Sequence, residues 1–193
     1  RDDDTSFTFP VSDGDVSFVL NLPDWETDYI QGYLARTSSP YESEMLRDMA
    51  RRLQPGDNVV DVGANIGNHT FYLAALRCNV DAFEPDVSLT DAMTKSAVSN
   101  GFDDRVVIHP VALGDAPAVG SLVRDDQRNI GRQRVVAPEE DRERISISPL
   151  DSIDVRRPVR AMKIDVEGME GQVISGARQI LVEDRPLMYV EAA

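Results

Sequence analysis

The sequence predicts a doubly wound α/β domain built on a mostly parallel sheet. Short apolar runs at 58–62, 79–83, 105–113, 159–166 and 186–190 read as strands. The first three alternate with helical stretches, and the order β-α-β-α-β calls for parallel strands joined by crossover helices. The first strand also runs through a small-residue turn, Gly63-Ala64-Asn65-Ile66-Gly67, directly into a helix from Asn68. A buried strand, a glycine turn and a helix form the opening unit of a nucleotide-binding α/β fold.

Each element has a local cause. Phe7, Phe9 and Val11 alternate before Ser12-Asp13-Gly14-Asp15, and Val16, Phe18 and Leu20 alternate after it, which reads as a β-hairpin. Pro10 suits an edge strand, and the hairpin is expected to cover one end of the sheet. Residues 23–32 are expected to form a short helix. Ser39 and Pro40 have the residue types of a helix cap and first turn, ahead of Met45, Leu46, Met49, Ala50 and Leu53 on one face. Pro55-Gly56-Asp57 ends that helix and leads into the strand at 58–62. The next helix buries Phe71, Leu73, Ala74, Ala75 and Leu76. The second strand, 79–83, ends at Glu84-Pro85-Asp86, and the helix at 87–100 is closed by Asn100-Gly101. The third strand, 105–113, is interrupted by Pro110. Residues 116–149 then break the rhythm with a β-rich insertion before the fourth core strand, and the charged stretch 124–134 reads as a loop of the kind that carries substrate contacts. A short helix at 150–155, a strand at 159–166, a helix at 170–182 with Val173, Ile174, Ala177, Ile180 and Leu181 inward, and a last strand at 186–190 complete the chain. The organisation expected is one domain, with an arm over 1–39 and a core over 40–193.

Composition narrows the classes. With 193 residues and 41% hydrophobic content, the chain can bury one core. No stretch approaches the ~20 apolar residues of a membrane span, and no signal-type segment opens it. The expectation is a cytoplasmic protein with no membrane partner. Cys78 is the one cysteine, which excludes an internal disulfide and a cysteine metal cluster; it is expected to be a small buried apolar residue. A net charge of −14 repels nucleic acid. The 23 Asp against 11 Glu and 18 Arg against 2 Lys suit a salt-loving source, and equally an ordinary acidic protein of a GC-rich genome.

The glycine turn holds only Gly63 and Gly67, with no lysine after it. It therefore matches neither the dinucleotide pattern nor the P-loop. Asp61, two residues before Gly63, completes the D-x-G-x-x-x-G form found in S-adenosylmethionine-binding enzymes. Glycine permits close backbone approach, and the new helix offers free N–H groups and the positive end of its dipole. Four strands end in acids: Asp61, Glu84, Asp165 and Glu191. In a parallel sheet those ends converge on one edge. Glu84 follows the turn at the spacing where a carboxylate accepts hydrogen bonds from ribose hydroxyls. Asp115 is placed to meet an adenine amino group, and Asp61 and Asp165 an ammonium.

Five segments in order, 61–70 (DVGANIGNHT), 83–85 (FEP), 112–115 (ALGD), 150–153 (LDSI) and 163–170 (KIDVEGME), resemble the successive motifs of the FkbM family of methyltransferases. The resemblance runs from about Pro40 to the C-terminus. It implies a Rossmann-like class I methyltransferase fold, S-adenosylmethionine as cofactor, and a hydroxyl oxygen on a sugar, glycan or natural product as acceptor. The cofactor-binding set it implies is Asp61, Gly63, Ala64, Asn65, Gly67, Asn68, Glu84, Pro85, Asp115 and Asp165. Class I enzymes add two further strands after the one ending at Glu191, so the core is expected to be C-terminally incomplete.

A hydroxyl acceptor must lose its proton to a general base. Glu167, Asp165 and His69 are the catalytic candidates, with Glu167 preferred; its alternative role is to bond the N–H groups of the Gly168 turn. Glu191 and His109 are further acids and bases within reach, His109 reading better as packing. No ligand spacing calls for a metal. The acceptor pocket is expected in the loops 24–39 and 124–138. Two rival readings are a nicotinamide-dependent oxidoreductase, which the glycine pattern disfavours, and a cofactor-binding domain without catalysis.

Overall fold

The computed structural model describes residues 7–124, 133–138, 142 and 144–191. Its centre is a five-stranded sheet of β3 (Asn58–Val62), β4 (Asn79–Phe83), β5 (Val106–His109), β10 (Val159–Ile164) and β11 (Leu187–Val190), in the order β11-β10-β3-β4-β5. Every pairing in it is parallel. Alternate residues of the strands serve opposite faces. Val60, Val62, Met162 and Ile164 pack against α5 (Glu170–Ser175) and α6 (Arg178–Glu183) on one side. Val59, Val80 and Ala161 pack against α2 (Ser43–Arg52), α3 (Asn68–Ala75) and the buried Cys78 on the other. This is the doubly wound arrangement the strand and helix order requires. Among the described residues, no helix is long and apolar enough to cross a membrane.

The N-terminal hairpin, β1 (Thr8–Asp13) and β2 (Val16–Asn21), forms as expected but in a different place. It lies on α3 and α4 (Val87–Asn100) as an outer layer and does not cover a sheet end. Phe18 meets Tyr72 edge to face. The Asn100 carboxamide accepts from the Val19 N–H at 2.8 Å and donates to the Val19 carbonyl at 2.8 Å, and Ser96 Oγ accepts from the Asn21 N–H. Side chains of α4 thus satisfy a strand edge that would otherwise invite pairing with another chain.

Other boundaries moved for identifiable reasons. The helix expected at 23–32 is α1 (Tyr29–Thr37), because Asp28 is its cap and accepts from the Gln31 N–H. Helix α2 starts at Ser43, not at Pro40, and Ser39 does not cap it. Asn68 grips the Tyr41 backbone, accepting from its N–H at 2.9 Å and donating to its carbonyl at 3.0 Å, and Glu42 follows in the left-handed region at φ 53. The strand expected at 105–113 splits at Pro110 into β5 and β6 (Ala112–Leu113). Strand β6 leaves the main sheet and joins β7 (Ala118–Arg124), β8 (Gln133–Val136) and β9 (Arg144–Ser148) in the order β6-β9-β7-β8. That is the expected β-rich insertion. Of the loop expected at 124–134, residues 125–132 lie outside the described residues. The single helix expected at 170–182 is broken at Gly176, where a Cβ would overlap the Gly114 carbonyl. Ile174, expected inward, is exposed. Asp151 caps the second half by accepting from the N–H groups of Gln179 and Ile180.

Candidate active site

Strand β3 leads outward to β4 and β5, while β10 and β11 lie on its other side. The switch in strand order falls between β3 and β10, the place where open α/β sheets bind ligands at their C-terminal edge. Gly63 closes β3 at φ 72, and a Cβ there would overlap the Asp165 carbonyl oxygen. The ends of β3 and β10 touch, so only glycine fits. Gly67 turns into α3 at φ 88, under the Phe71 ring. Between them Asn65 is also left-handed, at φ 52, and its Oδ1 accepts from the Ile66 N–H at 2.6 Å. Asparagine tolerates this region because its short side chain bonds locally.

That conformation points the Asn65 N–H at Glu84 Oε2, 2.9 Å away, while the Asp86 N–H donates to Glu84 Oε1 at 2.9 Å. Glu84 is buried. Burial pushes its carboxyl up to about 7, although the two N–H groups favour the charged form. Each oxygen keeps acceptor capacity for a ligand hydroxyl.

Two cavities meet at this turn. The first encloses about 650 Å³ and runs from Glu84 and Pro85 along apolar walls that include Phe83, Leu113, Leu122 and Met169. The second, about 850 Å³, is polar and is walled by Tyr29, Tyr41, Glu42, His69, Lys163 and Glu191, among others. Gly63, Asn65, Asp165 and Glu167 line both. These four residues therefore stand where the cavities join.

Lys163 is the centre of the electrostatics, and sequence reasoning assigned it no role. Its buried Nζ lies 3.2 Å from Asp165 Oδ2 and 3.7 Å from Asp61 Oδ1, and donates to the Gly63 carbonyl at 3.1 Å. Burial works against the charge, but Asp61 and Asp165 outweigh it and hold the ammonium above its usual range. A signal was present. Lys163 is one of two lysines, sits among the buried residues Ala161, Met162 and Ile164, pairs in register with Asp61, and shares a face with Asp165 two residues on.

The remaining expected site residues separate into those at the cavities and those behind them. Ala64, Asn68 and His69 line the second cavity, and Pro85 the first. Asn68 is committed to the Tyr41 backbone. Asp61 is fully buried, lines neither cavity, and accepts from Thr70 Oγ1 at 2.6 Å, so it supports Lys163 from behind. Gly67 also lies behind the lining, and Asp115 is exposed outside both cavities. His69 Nε2 lies 3.2 Å from Glu42 Oε2. The hydrogen bond from His69 leads the effects that hold Glu42 below the usual carboxylate range. Glu167 is exposed at φ 48, and the Gly168 N–H donates to Glu170, which removes the alternative role considered for Glu167. His109 faces away, stacked on Phe83 at 4.4 Å and 2.8 Å from Asp81. Among the described residues, no three His, Cys, Asp or Glu side chains converge as metal ligands.

Residues 61–193 match the family described as the methyltransferase FkbM domain. The chain belongs to the FkbM methyltransferase family. The matched span begins at Asp61, later than the Pro40 suggested by the motifs, so α1, Tyr41 and Glu42 lie outside it. The methyltransferase FkbM of Methylobacillus flagellatus KT superposes with a TM-score of 0.55 at 22% identity, covering 73% of this chain and 34% of that one. This likeness shows a Rossmann-like class I methyltransferase fold, and the chain spans about a third of that structure's length, 34%. An rRNA methylase from Streptococcus thermophilus aligns at a TM-score of 0.47 and 16% identity over 72% of this chain and 61% of that one. No curated protein matches the chain.

Proposed function

We propose that the chain is an S-adenosylmethionine-dependent O-methyltransferase whose acceptor is a hydroxyl on a sugar, glycan or other small natural product. One observation carries the reading: an apolar cavity ending on a buried carboxylate opens into a polar cleft across Gly63, Asn65, Asp165 and Glu167. The first cavity fits an adenosyl group. Glu84 would accept from the ribose hydroxyls, and the apolar walls between Leu113, Leu122 and Met169 would take the base. Asp165, already beside Lys163, would face the methionine end.

When bound, S-adenosylmethionine supplies an electrophilic methyl carbon whose bond to sulfur breaks as the bond to the acceptor oxygen forms. The protein's own residues align and deprotonate. The Gly63–Asn65 turn and the end of β10 fix the line between the two cavities, and alignment is the largest contribution available to such a transfer. The acceptor proton must pass to a base at the join. Asp165 is held by the Lys163 ammonium and is the weaker choice. His69 is packed beside Glu42, with its Nδ1 3.4 Å from the Asn68 amide nitrogen. Glu167, exposed at the join, is the base we assign.

Calorimetry tests the cofactor directly. S-adenosylmethionine and S-adenosylhomocysteine should bind one to one, and NAD should not bind. Binding of NAD in place of both would replace this reading with the oxidoreductase.

A further inference from the structure

The polar cleft has a charge pattern beyond what aligning a hydroxyl requires. Glu42, Asp165, Glu167 and Glu191 face it, against one ammonium, Lys163, whose contacts are Asp165, Asp61 and the Gly63 carbonyl. Glu191 is held above the usual carboxylate range, first by Asp165, then by burial and by Glu42. Yet among the described residues no three of them converge as metal ligands. They are spread around the walls of the cleft and not gathered on one point.

The rest of the wall adds to this. Tyr29 and Tyr41 stand edge to face with ring centroids 6.4 Å apart, and both line the cleft. Aromatic faces attract organic cations. His69 lines it too, with a side chain only 7% exposed. Its Nε2 lies 3.2 Å from Glu42 Oε2. Together the imidazole and the carboxylate offer a polar edge for a ligand hydroxyl. Tyr29, Tyr41 and Glu42 all precede the family-matched span.

We propose that the acceptor carries an ammonium group beside its hydroxyls, as an amino sugar or related amino polyol does, with Glu42 and Glu191 holding the charge, Tyr29 and Tyr41 flanking it, and His69 taking a hydroxyl. The inference rests on the first cavity being the cofactor site, because otherwise the same acids would face the cofactor's own ammonium. Glu42 and Glu191 are the residues that separate the two cases, since neither lines the first cavity.

The test is a calorimetric series on the protein saturated with S-adenosylhomocysteine, using glucosamine, N-acetylglucosamine and glucuronate as probes. Glucosamine should bind at least ~10-fold tighter than its N-acetyl form, the scale of one charge-assisted contact. Glucuronate should not bind. Molar salt should shrink the preference. The paired substitution Glu42→Gln and Glu191→Gln should abolish it while the melting temperature shows the fold is kept. Equal affinity for the amine and its N-acetyl form, preference for the acid, no binding of the amine, or an unchanged preference in the double variant would each overturn the proposal. If S-adenosylhomocysteine itself fails to bind, the cofactor reading falls. The same series on the unliganded protein then judges the amine preference separately.

Discussion

Replacing Glu84 with glutamine tests the site through folding as well as binding. The buried carboxyl moves from 4.5 to about 7, so between those values the native chain holds a proton that the unfolded chain has released. Stability from this group is complete below pH ~4.5, and is lost as the pH rises toward 7. At 1.36 kcal/mol per pKa unit, the loss is about 3 kcal/mol. For a chain of this size each kcal/mol moves the melting temperature by roughly 2–4 °C, so the swing is about 6–12 °C. Glutamine cannot ionise. It gives up one acceptor facing a backbone N–H, a pH-independent cost of about 1 kcal/mol. Scanning calorimetry of both proteins from pH 5 to pH 8 should therefore show the variant gaining on the wild type as the pH rises. Cofactor affinity should move the other way. The ionised carboxylate is the stronger acceptor for ribose hydroxyls, so S-adenosylmethionine should bind the wild type more tightly at pH 8 than at pH 6. The variant should bind weakly at both, by roughly 10- to 100-fold at pH 8, the worth of hydrogen bonds to a charged group. A melting-temperature difference that stays flat across the pH range would refute the burial argument. Equal cofactor affinity in the two proteins would refute the ribose assignment.

Lys163→Met should cost about 3–5 kcal/mol in chemical denaturation, because it leaves the buried Asp61 without its ammonium partner; a loss under 1 kcal/mol would mean that this buried pair does not hold the strand ends together. Gly63→Ala should destabilise the chain and abolish cofactor binding, since the added Cβ meets the Asp165 carbonyl at a positive φ; retained binding measured by calorimetry would place the cofactor elsewhere. Glu167→Gln should keep S-adenosylmethionine affinity and lower turnover by roughly 10²- to 10⁴-fold, the usual worth of a general base; if single-turnover rates are unchanged, Glu167 is not the base. Cys78, buried and pushed up to about 11 by that burial, should react with a thiol reagent only as fast as the protein opens. Rapid labelling in native buffer would contradict the packing around it.

The elements set by local chemistry were legible from the chain alone. Strands β3 and β4 and helix α4 fall on the expected residues, because apolar runs, the Asp86 cap and the Gly101 stop all act within a few positions. The glycine turn and the spacing to Glu84 were equally plain, since a left-handed turn and a strand-end acid are sequence-local features. What failed depended on distant partners. Helix α2 starts late because Asn68, 27 positions on, captures the Tyr41 backbone. The helix after β10 breaks because Gly176 is pressed against Gly114. The hairpin sits on α3 and α4 because Asn100 and Ser96 satisfy its free edge. The same holds at the site. The family and the presence of a cavity at the ends of the parallel strands follow from motifs in order. The buried Lys163 bridge, the retreat of Asp61 from the lining, the displacement of Asp115 and the meeting of Glu42 with His69 were decided only by tertiary structure. Whether a charged side chain faces a ligand or another side chain depends on burial and on pairing across the fold, and neither is written in the spacing of neighbouring residues.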